Sequence, residues 1–138
     1  MKAVLSKLLK IQQELNVPKN QRNNFGNYMY RSNEDILESL KPLLAKHNCV
    51  YLVDNRVIDC GGVVFRTGVA RLIDIDSSET ICVEMATQEN IGSKGSQPSQ
   101  CSGATASYND KYLAGKMFLI DDAQDADATN KHEKEKTT

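Results

Sequence analysis

The chain has no long hydrophobic run. Its longest apolar stretches reach only four or five residues, as from Val50 to Val53, where a helix crossing a bilayer needs about 20. No transmembrane helix is expected. Lys2, Lys7 and Lys10 interleave with Val4, Leu5, Leu8 and Ile11 at helical spacing and precede no solid apolar block, which argues against a signal peptide and for the cytoplasm. The four cysteines, Cys49, Cys60, Cys82 and Cys101, form no C-x-x-C pair and have no short spacing to a histidine, so zinc-ribbon and thioredoxin chemistry are excluded. Reduced and mostly buried thiols are the expectation in a chain without an export signal. Also missing are an H-E-x-x-H motif, a Ser-His-Asp order and carboxylates paired with a base. No catalytic residue, metal ligand or cofactor is assigned, and the enzyme class recedes.

Net charge is nearly absent as well: 17 Lys+Arg against 18 Asp+Glu leave −1, whereas a nucleic-acid binder usually carries a basic footprint. The total hides a gradient. Residues 1–48 hold eight cations and four anions, 49–102 four and seven, and 121–138 three and six. A basic front end is thus cancelled by an acidic middle and an acidic tail, an asymmetry that says more about partners than the sum does. What the chain does have is enough for one domain. Its 138 residues are 40% hydrophobic and 25% charged, a globular composition of ordinary domain length.

Met1, Val4, Leu5, Leu8, Ile11 and Leu15 share one stripe of an amphipathic helix that ends before Pro18. Residues 16–27, NVPKNQRNNFGN, are rich in Asn with Pro and Gly, which predicts a basic loop. Ser32 with Asp35 three residues on reads as a helix start. The stripe Ile36, Leu37, Leu40, Leu43, Leu44, His47 continues that helix, with a kink expected near 38–41 because Pro42 lacks a backbone donor. His47 is then a helix-end histidine.

From Cys49 the period changes to two. Asp54-Asn55 and Gly61-Gly62 mark turns, and Val63, Phe65, Thr67, Val69, Ile73 and Ile75 share one face of a long strand whose other face carries Arg66 and Asp74. After a turn at Ser77-Ser78, Ile81, Val83 and Met85 alternate again. Turns this short join antiparallel strands, so a meander of three strands is expected, the first one broken at Asp54-Asn55. Residues 89–102 predict a flexible loop, 103–119 a helix with the stripe Leu113, Met117, Ile120, and 121–138 a mobile acidic tail. The class is α+β: amino-terminal helices, a three-stranded antiparallel meander, then a long helix. The division is a working domain at 1–120 and a tail at 121–138.

Gly92-Ser93-Lys94-Gly95-Ser96 lacks the G-x-x-x-x-G-K-[ST] order of a nucleotide-binding loop, although small residues beside one lysine suit a phosphate contact. Asp121, Asp122, Asp125 and Asp127 could hold magnesium, but they lack the order of a calcium loop and read first as a solvated helix end. The front end is more specific. Lys19, Arg22, Phe25, Tyr28, Tyr30 and Arg31 interleave cations with aromatics, the combination that binds single-stranded nucleic acid by phosphate neutralisation and base stacking. The same tyrosines could instead pack loop against core.

A resemblance separates these alternatives. Residues 25–36, FGNYMYRSNEDI, followed by LKPLL at 40–44, resemble the amino-terminal signature of the ERF (essential recombination function) family of phage single-strand annealing proteins. GATASY at 103–108, KYLA at 111–114 and FLIDD at 118–122, with Asp125 and Asp127, are similar to that family's second block. The resemblance implies ATP-independent binding of single-stranded DNA and pairing of complementary strands in phage homologous recombination. It implies homo-oligomers, often rings, working in the cytoplasm of the bacterial host, with a phage nuclease or a host single-strand-binding protein as further partners and no membrane. It also implies a core of three strands and a helix like that of the eukaryotic annealing proteins.

By that resemblance Tyr108, Lys111 and Tyr112 lie on the DNA-binding helix, and Tyr30 and Arg31 in the front motif. Where the family commonly has a basic pair between the tyrosines, this chain has Asn109-Asp110-Lys111. The loss of a cation there predicts a weaker phosphate contribution, about 0.7 less in the salt slope per phosphate, and shifts the load to Arg66, Arg71, Lys94 and Lys116. Two other readings fit the element order. One is a double-stranded RNA-binding module, which commonly opens its last helix with a lysine cluster where this chain has Gly103-Ala104-Thr105-Ala106-Ser107. The other is a phage adaptor that recruits a host factor through the acidic tail.

Overall fold

The computed structural model describes residues 1–88 and 98–120, with side chains of the latter segment from 106 onward. Lys94, the acidic cluster from Asp121 and the tail lie outside the described residues, as do the side chains of 103–105. The first helix, α1, spans Lys2–Glu14 and buries Val4, Leu8 and Ile11 of the expected stripe, while Met1 and Leu5 are exposed because they lie off the covered side. No side chain caps its start, and Leu15 turns extended at its end.

The Asn-rich segment after it is not a plain loop. It forms a small antiparallel hairpin, β1 (Gln21–Asn23) and β2 (Tyr28–Tyr30), in which Arg22 faces Met29. Three polar residues give β1 no apolar alternation, so the strand left no period in the sequence. Side-chain chemistry makes the turn instead: Asn23 Oδ1 accepts the N–H groups of Phe25 at 2.9 Å and Gly26 at 3.1 Å, and Asn27 takes the left-handed conformation at φ 52°.

Helix α2, Asn33–His47, begins in a full capping box: Ser32 Oγ accepts from Asp35 N, and the Asp35 carboxylate accepts from Ser32 N. Those two donations, backbone first, hold the Asp35 carboxyl below its ordinary pKa. The helix runs on through Pro42 as one element and ends at left-handed Asn48 with Lys46 and His47 in the last turn, the favourable sign for a helix carboxyl end. Lys46 Nζ and His47 Nε2 both reach the Glu14 carboxylate, at 3.1 and 2.9 Å, and join the ends of α1 and α2.

The sheet is an antiparallel meander of β3 (Cys49–Cys60), β4 (Val63–Asp74) and β5 (Thr80–Gln88), in that order. Gly61 and Gly62, at φ 62° and 88°, form the two-residue turn between Cys60 and its partner Val63, the mirror-image turn that suits twisted strands and requires positive φ at both positions. Strand β3 is unbroken at Asp54-Asn55. Asn55 stays in register opposite Gly68, Asp54 ion-pairs with Arg71, and Asn55 Nδ2 donates to Asp110 Oδ1 at 3.0 Å; tertiary partners hold two turn-favouring residues in a strand.

The helices cover the face that carries Tyr51, Val53, Gly68, Ala70, Leu72 and Asp74, joined by Val83 and Met85 of β5. The apolar series Val63, Phe65, Val69, Ile73 lies on the opposite, open face. Helix α3, Pro98–Phe118, starts five residues before the expected Gly103. Proline fits a first helical turn, where its missing N–H is not needed. The helix buries Asn109, Leu113, Ala114, Met117 and Phe118 and comes so close to β4 that a Cβ on Gly68 would stand 2.8 Å from Leu113 Cδ1. It stops at left-handed Leu119, φ 60°, with Ile120 N–H donating to Gly115 O at 2.9 Å.

One carboxylate is sealed into this framework. Asp74 is fully buried and accepts from Lys7 Nζ at 2.5 Å, Ser77 Oγ at 2.7 Å and Asp76 N at 3.1 Å, so it ties α1 to the turn between β4 and β5. Lys7, first, and Ser77 hold its carboxyl below the usual range. Of the described thiols only Cys49 is buried; Cys60 and Cys82 are exposed and unbridged, contrary to the expectation of mostly buried cysteines. Cys60 borders the glycine turn and Cys82 points to the open sheet face opposite Arg71.

Candidate functional site

Tyr108 and Tyr112 are one turn apart on α3, and their rings stack at 4.5 Å with a 35° tilt. Lys116 is a further turn along the same side and exposed. The opposite side of α3 is fixed by the core and by Asn109, which is fully buried. Its Oδ1 accepts from Thr87 Oγ1 on β5 at 2.5 Å, and its Nδ2 donates to Arg66 O on β4 at 3.2 Å. Asn109 thus sets the roll of the helix that keeps the tyrosines outward, with Tyr108 about half exposed.

The front hairpin meets this helix. Lys111 Nζ lies 5.2 Å from the centroid of the Tyr30 ring, a cation–π distance, and Tyr30 stands edge to face with Tyr28 at 6.2 Å. Tyr28 Oη accepts from Asn23 Nδ2 at 3.0 Å. Arg31, next to Tyr30, donates through Nε to Val17 O at 2.7 Å and anchors the chain that leads into the hairpin. The structure therefore gathers Tyr28, Tyr30, Tyr108, Lys111 and Tyr112 from two separate stretches of sequence into one aromatic and cationic surface. All but Tyr108 are partly covered, held in place yet open on one side. Such a surface offers ring faces for stacking and an ammonium for a phosphate.

The other basic residues named from sequence are placed differently. Lys19 is exposed in the segment before β1, and Arg22 on β1 donates to Asn27 Oδ1 at 2.5 Å. Arg66 is half-buried on the helix-covered face of β4, whereas Arg71 is on the open face in an ion pair with Asp54. Lys94 lies outside the described residues. Among the described residues no group of three His, Cys, Asp or Glu is placed to hold a metal ion, and no helix is long and apolar enough to cross a membrane.

Two features escaped the sequence reading. Within the stretch 109–111, read as lacking a cation of the family's basic pair, Asn109 faces the sheet; it shares its helical side with Leu113 and Met117, four and eight residues on, and that spacing was the available signal. The other is Asp110, in the same stretch, which receives a hydrogen bond from Asn55.

The chain matches the model of the ERF superfamily over residues 4–138. It is 39% identical over 134 residues to the "Essential recombination function protein" of Salmonella phage P22, covering 97% of this chain and 63% of that relative's length. No solved structure matches. With a family model spanning nearly the whole sequence and this degree of identity to the phage P22 protein, the chain belongs to the ERF superfamily.

Proposed function

We propose that the protein binds single-stranded DNA and pairs complementary strands in phage homologous recombination, without ATP and as an oligomer. The observation that carries the reading is the Tyr30–Lys111 contact beside the Tyr108–Tyr112 stack. Aromatic faces accept any base, and an ammonium neutralises a phosphate, so the surface suits sequence-independent binding of a single strand. Family membership and the name of the phage P22 relative support a role in phage recombination.

Annealing needs no catalytic residue. A protein that holds phosphates and stacks ring faces leaves base edges able to test a second strand, while neutralised charge lowers the repulsion between the two strands. Residues 1–120 carry fourteen cations and twelve anions, a small excess for a DNA binder. Tight binding then depends on several copies acting along one strand, each adding its own few contacts.

The test mixes two complementary labelled oligonucleotides with the protein at low salt, without ATP, and follows duplex formation. Pairing faster than the protein-free rate is expected. An unchanged rate would overturn the reading.

A further inference from the structure

Phe25, at the tip of the β1–β2 hairpin, is the most exposed apolar side chain among the described residues, with its whole ring in solvent. Folding takes none of the gain that burying a phenylalanine would bring. The turn that carries the ring is nonetheless stiff. Asn23 Oδ1 accepts the Phe25 and Gly26 N–H groups at 2.9 and 3.1 Å, and Arg22 donates to Asn27 Oδ1. The Tyr28 ring lies so close to Gly26 that a Cβ there would collide with it. The tip is thus ordered before any ligand arrives, which lowers the entropic cost of binding one. The hairpin has two sides, as alternation along a strand requires. Tyr28 and Tyr30 share the side that meets Lys111, while Arg22 and its cross-strand partner Met29 are exposed on the other. Between Glu14 and Glu34 the chain carries Lys19, Arg22 and Arg31 and no carboxylate.

We propose that Phe25 makes this surface selective for single strands over duplex: its ring inserts between neighbouring bases of the bound strand while the hairpin cations hold the phosphates on either side. The inference rests on the single-strand binding proposed above and names the residue that discriminates. A rigid, exposed ring among cations, with no anion beside it, suits a polyanion that offers flat apolar faces, and a single strand of nucleic acid is such a ligand. Neighbouring bases of a single strand part easily, so base–base stacking is exchanged for stacking on the ring. A duplex resists, because a wedge there has to unstack paired bases and kink the helix. Pairing therefore expels the ring. Once a complementary strand closes over the bases, the protein keeps its phosphate contacts and loses the stack, and its hold on the product of annealing weakens.

The test uses the full 138-residue chain, with circular dichroism to check that each variant is folded. Anisotropy titrations compare the wild type with Phe25→Ala on a labelled single strand and on its duplex. Affinity for the single strand should fall about 5- to 150-fold, the equivalent of one lost base stack, and affinity for the duplex should not change. Phe25→Leu, apolar but without a flat ring, should behave like Phe25→Ala. The chain has no tryptophan, so Phe25→Trp installs a lone indole, whose fluorescence should be quenched by the single strand and not by the duplex. This arm decides alone if Phe25→Ala does not fold. A wild type without affinity for the single strand would overturn the proposed function and this inference with it. Wild-type binding that Phe25→Ala leaves intact, an equal loss on the duplex, or an indole unquenched at saturation would overturn this inference alone. So would a folded Phe25→Ala protein of lower mass than the wild type by light scattering without DNA, since the tip would then be a contact between copies.

Discussion

The Lys111 ammonium lies 5.2 Å from the centre of the Tyr30 ring, joining the front hairpin to the carboxyl-terminal helix. If this contact is part of a DNA surface, Lys111→Ala should weaken single-strand binding about equally for all sequences and reduce the salt slope by about 0.7. Tyr108→Ala removes a stacking face and should cost about 1–3 kcal/mol of binding. Fluorescence anisotropy titrations across a salt series on several unrelated oligonucleotides check both. A loss confined to one sequence would contradict backbone binding.

Asn109 bridges α3 to two strands through Thr87 and the Arg66 carbonyl. Asn109→Ala should cost about 1–3 kcal/mol in urea denaturation, because it leaves buried polar groups unpaired. Asn109→Lys should destabilise the fold without raising DNA affinity, since position 109 faces the sheet. A gain in affinity with unchanged stability would refute that orientation.

Gly68 lies under α3 with no room for a side chain. A methyl group there meets Leu113 Cδ1 at 2.8 Å and Asn55 Oδ1 at 3.3 Å, and Leu113 is fully buried and has little room to retreat. Gly68→Ala should therefore destabilise by about 1–3 kcal/mol, the usual range for overpacking. A thermal melt that matches the wild type would show that the helix can shift.

Acid should loosen the α1 attachments. The carboxyls of Asp74 and Asp76 are held below their ordinary values mainly by Lys7, and that of Glu14 mainly by His47. A folded-state pKa below the unfolded one, which is about 3.9 for Asp and 4.3 for Glu, means that the ionised form favours the fold. The contribution is complete above about pH 5 and is lost as pH falls through the folded values. Melting temperature should fall between pH 5 and pH 3. Asp74→Asn should be less stable at pH 6 and show a shallower decline on acidification.

Tyr51 packs edge to face on Phe118 at 5.2 Å, and its buried hydroxyl has no hydrogen-bond partner among the described residues. Burial, the leading cause, raises its pKa. Tyr51→Phe keeps the ring contact and removes an unsatisfied polar group, so stability should be unchanged or rise by up to about 1 kcal/mol in urea denaturation. A marked loss would reveal a partner for the hydroxyl.

Local pattern was legible wherever one residue type answers one backbone demand. The stripe of Val4, Leu8 and Ile11 made a helix, Ser32 and Asp35 started another, and Gly61-Gly62 made a turn, because helical spacing, free N–H groups and positive φ are local requirements. The hairpin at 21–30 was not legible in this way, since Asn23 side-chain bonds stand where apolar alternation would otherwise be.

The sequence by itself determined which segments are helix and which are the long strands, and it named Tyr28 and Tyr30 in a basic, aromatic front segment and, through the family resemblance, Tyr108, Lys111 and Tyr112 on the last helix. Only the tertiary structure decided which sheet face is core. Both faces of β4 carry apolar residues, and the helices settled on the one where Gly68 and Ala70 leave room for Leu113, so the bulkier series from Val63 to Ile73 faces outward. Close packing selects the face that admits a neighbouring backbone over the face with the more hydrophobic side chains. The same docking brings Lys111 onto Tyr30, a meeting of residues far apart in the chain that local periodicity does not encode.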